Sequence, residues 1–250
     1  MGKRLPNFLG LGVQKGGTTT LQRMLEQHPS VFLSPRKELH YFSLHYAQGQ
    51  SWYEHQFCDA DEVQLCGDIT PYYLFHPHAP ARVQALLPHA RLIVLLRDPV
   101  ERALSQYFHA KRLGIELLDI ELAFEYEKKR LNLVYEDIYL KKINHTWHQE
   151  FSYVARSRYE LQLPLWREKY PENQLLVLQS ETFFQHPSQT YQEICEFLNL
   201  SSHALPKFQV HSNRGSGETE LVSSSFKEDL KENLQPTYQW VEENYGIKWN

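Results

Sequence analysis

The stretch at 8–21, reading FLGLGVQKGGTTTL, constrains this chain more than any other. An apolar run breaks at Gly12, a lysine and two glycines follow, and three threonines open an amphipathic segment. That order describes a buried strand, a tight loop and a helix start, with the loop amides turned toward an anion. Gly16 and Gly17 omit the Cβ atoms that would keep a phosphate away from the backbone. Thr18, Thr19 and Thr20 bring hydroxyl donors to the helix N-terminus, where the helix dipole also favours negative charge. Lys15 adds a full positive charge. The spacing Gly12-x4-Gly17 fits a Walker A loop, yet Thr18 stands where that motif demands lysine, and the lysine sits inside the loop.

The rest of the chain alternates strand and helix signals. Apolar runs at 8–13, 31–33, 65–69, 91–96 and 175–178 read as strands, and their continuous apolarity marks the best of them as buried on both faces. Helical spacing follows the loop as far as His28-Pro29 and covers 79–87 before Pro88. It restarts at Pro99, with Ala103, Leu104, Tyr107 and Phe108 on one face, and recurs over 159–170, 188–198 and 226–245. The stretch 47–61 reads as irregular, held down by Trp52, Tyr53 and Phe57; 114–153 reads as a charged, tyrosine-rich helical insertion, and 208–220 as a loop. This order implies an α/β, P-loop-like three-layer fold, with a central mostly parallel sheet and helices on both faces, in a single domain over 1–250. In such a sheet ligands bind at the carboxyl ends of the strands, which is where the loops 14–20 and 97–99 fall.

Composition narrows the function classes. A net charge of −4 disfavours a general nucleic-acid or anionic-membrane binder. No apolar run approaches the roughly 20 residues that span a bilayer, so no transmembrane segment is expected. The three cysteines, Cys58, Cys66 and Cys195, form no CxxC pair. They read as free thiols in a reducing compartment, and a cytoplasmic location is expected. The 13 histidines, including His76-Pro77-His78, match no strong ligand spacing, and no metal site is expected.

The strongest strand, RLIVLL at 91–96, delivers Arg97 before Asp98-Pro99 rather than the acidic metal ligand a P-loop kinase uses. An arginine at a strand's carboxyl end can read a second phosphate as a charged fork; it can equally form a surface ion pair with Asp98 or Glu101. Glu38, in Lys37-Glu38-Leu39-His40-Tyr41-Phe42, is a candidate general base or, more plainly, a partner for Arg36 or Lys37. In an extended segment His40 points to the same side as Glu38.

These residues, taken in order, resemble one family. Lys15-Gly16-Gly17-Thr18-Thr19, Lys37 to Phe42, Asp68-Ile69-Thr70-Pro71-Tyr72-Tyr73 and Leu96-Arg97-Asp98-Pro99-x2-Arg102-x2-Ser105-x-Tyr107 are similar to the motifs of the PAPS-dependent sulfotransferases. The likeness is to the heparan-sulfate-type branch and its bacterial relatives. It implies transfer of the sulfuryl group of 3′-phosphoadenosine 5′-phosphosulfate (PAPS) to an acceptor hydroxyl, leaving adenosine 3′,5′-bisphosphate and requiring no metal. It further implies that Lys15, Gly16, Gly17, Thr18, Thr19 and Thr20 hold the 5′-phosphosulfate, and that Lys15 is the catalytic lysine. Arg97 and Ser105 then take the 3′-phosphate, with Arg214-Gly215 as a late loop over it and Tyr159, of Tyr159-x6-Trp166, on the nucleotide. Glu38 becomes the general base, and His40 orients the acceptor or shares the proton.

One position departs from the branch's pattern, since Ile69 stands where a lysine usually precedes the Thr-Pro pair. The acceptor stays open among carbohydrate, lipid or polyketide, and small-molecule hydroxyls. A P-loop kinase or NTPase and a non-catalytic nucleotide-binding scaffold are the alternatives. The position of Lys15 with Arg97 and Ser105 disfavours the first, and an intact Glu38 the second.

Overall fold

A computed structural model gives the fold of the chain and describes residues 4–201 and 218–249. Five strands form one sheet in the order β2-β3-β1-β4-β5. They are β1 (Phe8–Gly12), β2 (Val31–Leu33), β3 (Leu65–Ile69), β4 (Arg91–Leu96) and β5 (Leu175–Gln179). Every neighbouring pair is parallel, so the mostly parallel sheet expected from the alternation is parallel throughout. Parallel pairs need crossovers, and helices between the strands supply them: α1 (Thr18–Leu25), α2 (Gln50–His55), α3 (Ala79–Leu86), α4 (Pro99–Arg112), α5 (Ile120–Tyr135), α6 (Thr146–Glu150) and α7 (Tyr159–Arg167). After β5 come α8 (Ser180–Gln185), α9 (Pro187–Leu198), α10 (Ser224–Asn233) and α11 (Gln235–Tyr245).

The chain divides into two compact units, one of Met1–Leu96 with Leu165–Ser212 and one of Arg97–Pro164 with Asn213–Asn250. The first unit holds the sheet. Its core gathers Phe8 of β1, Ile69 of β3, Ile93 and Leu95 of β4, Leu21, Met24 and Leu25 of α1, and Ile194, Cys195 and Leu198 of α9. Each such side chain contributes about 1.5–3 kcal/mol by leaving water, which is why α1 lies down on the sheet with its apolar face inward. The second unit is helical. Val100 and Leu104 of α4 pack with Leu230 and Leu234, while Ala103 and Tyr107 pack with Ala123 and Tyr153.

Two local expectations are corrected. The stretch 47–61 is not wholly irregular, because α2 forms within it and sends Tyr53 into the core with Phe57. The C-terminal helix expected over 226–245 is two helices, α10 and α11, divided at Leu234. Pro236 lies in the first turn of α11, where a proline fits, whereas inside one continuous helix its missing N–H and its ring would break the ladder. All three cysteines are free thiols, with Cys66 and Cys195 buried and Cys58 half-buried. Among the described residues no helix is long and apolar enough to cross a membrane.

Candidate active site

The loop after β1 is shaped by the sheet beneath it. Val13 N–H donates to the Leu95 carbonyl at 2.9 Å and Gly16 N–H to the Val13 carbonyl at 3.0 Å, which folds the loop onto the end of β4. A Cβ at Gly16 would lie 2.6 Å from the Leu95 carbonyl oxygen, so only glycine lets the loop approach this closely. Gly17, at φ 100°, is the N-cap of α1 and supplies no side-chain cap. The α1 N-terminus therefore leaves its first backbone N–H groups as donors beside the loop, with the half-buried Thr19 in its first turn. Lys15 is half-buried and left-handed at φ 72°. Ser180 Oγ donates to the Gly16 carbonyl at 2.9 Å, which fixes the loop from the α8 side.

The segment after β2 meets this loop. Lys37 Nζ donates to Thr19 Oγ1 and lies 3.7 Å from Glu38 Oε1. The other carboxylate oxygen of Glu38, Oε2, is 3.5 Å from His40 Nε2, and His40 Nδ1 lies 3.2 Å from Ser43 Oγ. The expected proximity of Glu38 and His40 is present, but by a different route. The segment is not extended, since both residues are left-handed at φ 56° and 53°. The turn they form, rather than the two-residue period of a strand, brings their side chains together.

The end of β3 anchors that turn. Asp68 is buried and accepts from Thr70 Oγ1 at 2.7 Å, Tyr73 OH at 2.7 Å and Tyr53 OH at 2.9 Å. Thr70 Oγ1 in turn accepts from the His40 N–H at 3.4 Å. Burial pushes the Asp68 carboxyl up while the three hydroxyl donors pull it down, and burial prevails. Ile69 is 3% exposed and belongs to the apolar core. The side chain at the position where the branch carries lysine thus points into hydrocarbon. Sequence reasoning singled out Lys37 only as a neighbour of Glu38 and missed Asp68, although the spacing of Asp68, Thr70 and Tyr73 was the signal available.

In the second unit Arg97 comes directly after β4. Its Nη2 is 3.7 Å from Glu101 Oε2, so the ion-pair alternative holds toward Glu101 in this structure. Asp98 serves the helix that follows. It caps α4 by accepting the Glu101 N–H at 2.9 Å and also accepts from Tyr238 OH at 2.8 Å. Ser105 is buried on α4, and Tyr159 OH donates to the Arg97 carbonyl at 2.8 Å. Arg102, present in the same motif, is wholly buried. It donates to Ser157 Oγ at 2.6 Å and Gln106 Oε1 at 2.8 Å, and to the Tyr153 carbonyl. Burial lowers it to about 9. Arg214 and Gly215 lie outside the described residues. Among the described residues no cluster of three or more His, Cys, Asp or Glu side chains is arranged to hold a metal.

A family model described as the sulfotransferase domain matches residues 5–246. The chain belongs to the sulfotransferase domain family. Heparan sulfate glucosamine 3-O-sulfotransferase 3A1 of Mus musculus is 31% identical over 200 residues, covering 79% of this chain and 47% of that protein. Membrane-associated sulfotransferase kil1 of Dictyostelium discoideum is 43% identical over 106 residues, covering 41% of this chain and 22% of that protein. The chain thus spans less than half the length of these two relatives. A sulfotransferase crystal structure from Alicyclobacillus acidocaldarius matches with TM-score 0.81 at 24% identity, covering 98% of both chains. Mouse sulfotransferase SULT7A1 complexed with PAP matches with TM-score 0.58 at 12% identity, covering 97% and 86%. Both likenesses show the sulfotransferase fold, an α/β fold of P-loop-like type, here with five parallel strands flanked by helices.

Proposed function

We propose that 1–250 is one sulfotransferase domain that moves the sulfuryl group of PAPS to an acceptor hydroxyl by in-line displacement. The observation that carries this reading is the meeting of the anion loop with Glu38, through the hydrogen bond from Lys37 to Thr19. A base and an anion cradle side by side are what attack of a hydroxyl on a bound sulfuryl group requires. In this reading Glu38 takes the proton as the acceptor oxygen bonds to sulfur, and the bond from sulfur to the bridging phosphate oxygen breaks. Lys15 stabilises the charge that builds on that oxygen. Gly16 to Thr20 hold the 5′ end of the donor. Arg97 and Ser105 take the 3′-phosphate and Tyr159 the nucleotide, with Arg214 and Gly215 assigned to the same phosphate by resemblance. His40, beside Glu38, orients the acceptor or relays its proton.

In this reading the acceptor is a hydroxyl of a carbohydrate, of a lipid or polyketide, or of a small molecule. The heparan sulfate glucosamine named for the mouse relative is one carbohydrate example to test. The two alternatives predict different ligands, so a thermal shift separates them. Adenosine 3′,5′-bisphosphate should raise Tm and 5′-AMP should do so less. Stabilisation by ATP–Mg²⁺ alone would overturn the sulfotransferase reading in favour of a kinase or NTPase. Binding of the bisphosphate without sulfated product from any hydroxyl acceptor in a labelled-donor screen would favour the scaffold.

A further inference from the structure

We propose that Lys37 is a positioning residue, tying the donor loop to the general base; the inference rests on the sulfotransferase reading above. Two observations carry it. Lys37 Nζ donates to Thr19 Oγ1 on the first turn of α1. The same nitrogen is 3.7 Å from Glu38 Oε1.

The chemistry of each contact gives Lys37 a distinct task. An ammonium has three donors and no acceptor. One donor on Thr19 Oγ1 occupies a lone pair of that hydroxyl, so the Thr19 hydrogen turns away from Lys37 toward another acceptor. At a helix N-terminus that acceptor is an anion oxygen. Lys37 therefore sets Thr19 as a donor to the bound phosphosulfate. Its charge beside Glu38 favours the ionised carboxylate, the form a general base needs before the acceptor hydroxyl arrives. With a side chain 36% exposed, Lys37 is held by these two contacts rather than by burial, so its removal leaves the core intact. The left-handed turn at Glu38 and His40 keeps the carboxylate between Lys37 on one side and His40 on the other.

The test measures adenosine 3′,5′-bisphosphate affinity by calorimetry in the wild type, Lys37→Ala, Lys37→Arg, Thr19→Val and the Lys37→Ala/Thr19→Val double variant. Turnover of labelled PAPS is followed across pH in the same proteins. Lys37→Ala should weaken bisphosphate binding about 5–10-fold, the double variant should lose no more than the worse single one, and Lys37→Arg should recover much of the loss. The kcat of Lys37→Ala should fall about 10–100-fold, with the acid limb of its pH profile displaced upward. A purely structural lysine would lower Tm and leave that limb where it is. Full additivity of the two losses, or Lys37→Ala binding and turning over as wild type, overturns the role of Lys37 while the sulfotransferase reading stands. A wild-type protein that does not bind the bisphosphate overturns both.

Discussion

Lys15, Glu38 and His40 have φ values of 72°, 56° and 53°, in a region that costs a residue bearing a Cβ about 1–2 kcal/mol. Backbone strain of this kind persists where the surroundings impose it, and functional turns are such places. Here Gly16, next to Lys15, lies close against β4, and Thr70 accepts from the His40 N–H beside the base segment. Comparison of Glu38→Gly with Glu38→Ala isolates the strain, because both remove the carboxylate and only glycine relaxes the backbone. The glycine variant should be more stable by about 1 kcal/mol in urea unfolding, and neither should transfer sulfate. Glu38→Gln should keep adenosine 3′,5′-bisphosphate affinity while kcat falls about 10²–10⁴-fold, the range general-base catalysis supplies. Sulfated product at the wild-type rate would remove Glu38 from the mechanism. Lys15→Ala should cost about 10²–10³-fold in kcat, the loss typical of removing one donor to a developing oxyanion.

At the level of elements, the site proposed for the first unit is built from the segments at its strand ends. After β1 comes the loop at 13–17, after β2 the turn that carries Glu38, and at the end of β3 the Asp68–Thr70 anchor. Thr70→Val tests this coupling, since it keeps the shape and removes a hydroxyl that both donates to Asp68 and accepts from His40. It should cost about 1–3 kcal/mol in stability, because a buried carboxylate loses a donor, and kcat should fall further than the bisphosphate affinity does. Thr70→Ser should restore both. The five strands and the starts of α1 and α4 were legible in the chain because burial on both faces, glycine and proline leave local marks. The turn at Glu38 and His40 was not, since no glycine or proline announces it and its contact, Thr70, lies 30 residues further along the chain.

For the molecule as a whole, stability and pH are coupled through the helical unit. Glu127 is buried there and accepts the Val154 and Ala155 N–H groups, both at 2.8 Å. Burial outweighs those bonds and raises its carboxyl from 4.5 to about 7. The folded protein thus holds this proton to a higher pH than the unfolded chain does. The stability Glu127 contributes is full below pH 4.5 and is lost as pH rises toward about 7. Buried His148, lowered from 6.5 to about 3, contributes the opposite slope below 6.5, so the signed expectation is a difference. Between pH 4.5 and about 7, urea midpoints should rise more steeply, or fall less, with pH in Glu127→Gln than in the wild type. Parallel slopes in the two proteins would show that another group sets the dependence.

Local chemistry in the chain determined much of this protein. The loop at 15–20, the Arg97 at the end of the strongest strand, and the order of the four motifs all rest on residue types within a few positions of one another. The tertiary structure decided what requires residues far apart to meet. It placed Lys37 on Thr19, buried Asp68 under two tyrosines, turned Ile69 into the core, and divided the last helix at Leu234. Hydrogen bonds and burial between distant segments leave no periodic mark in sequence, because each depends on where the sheet brings the chain back.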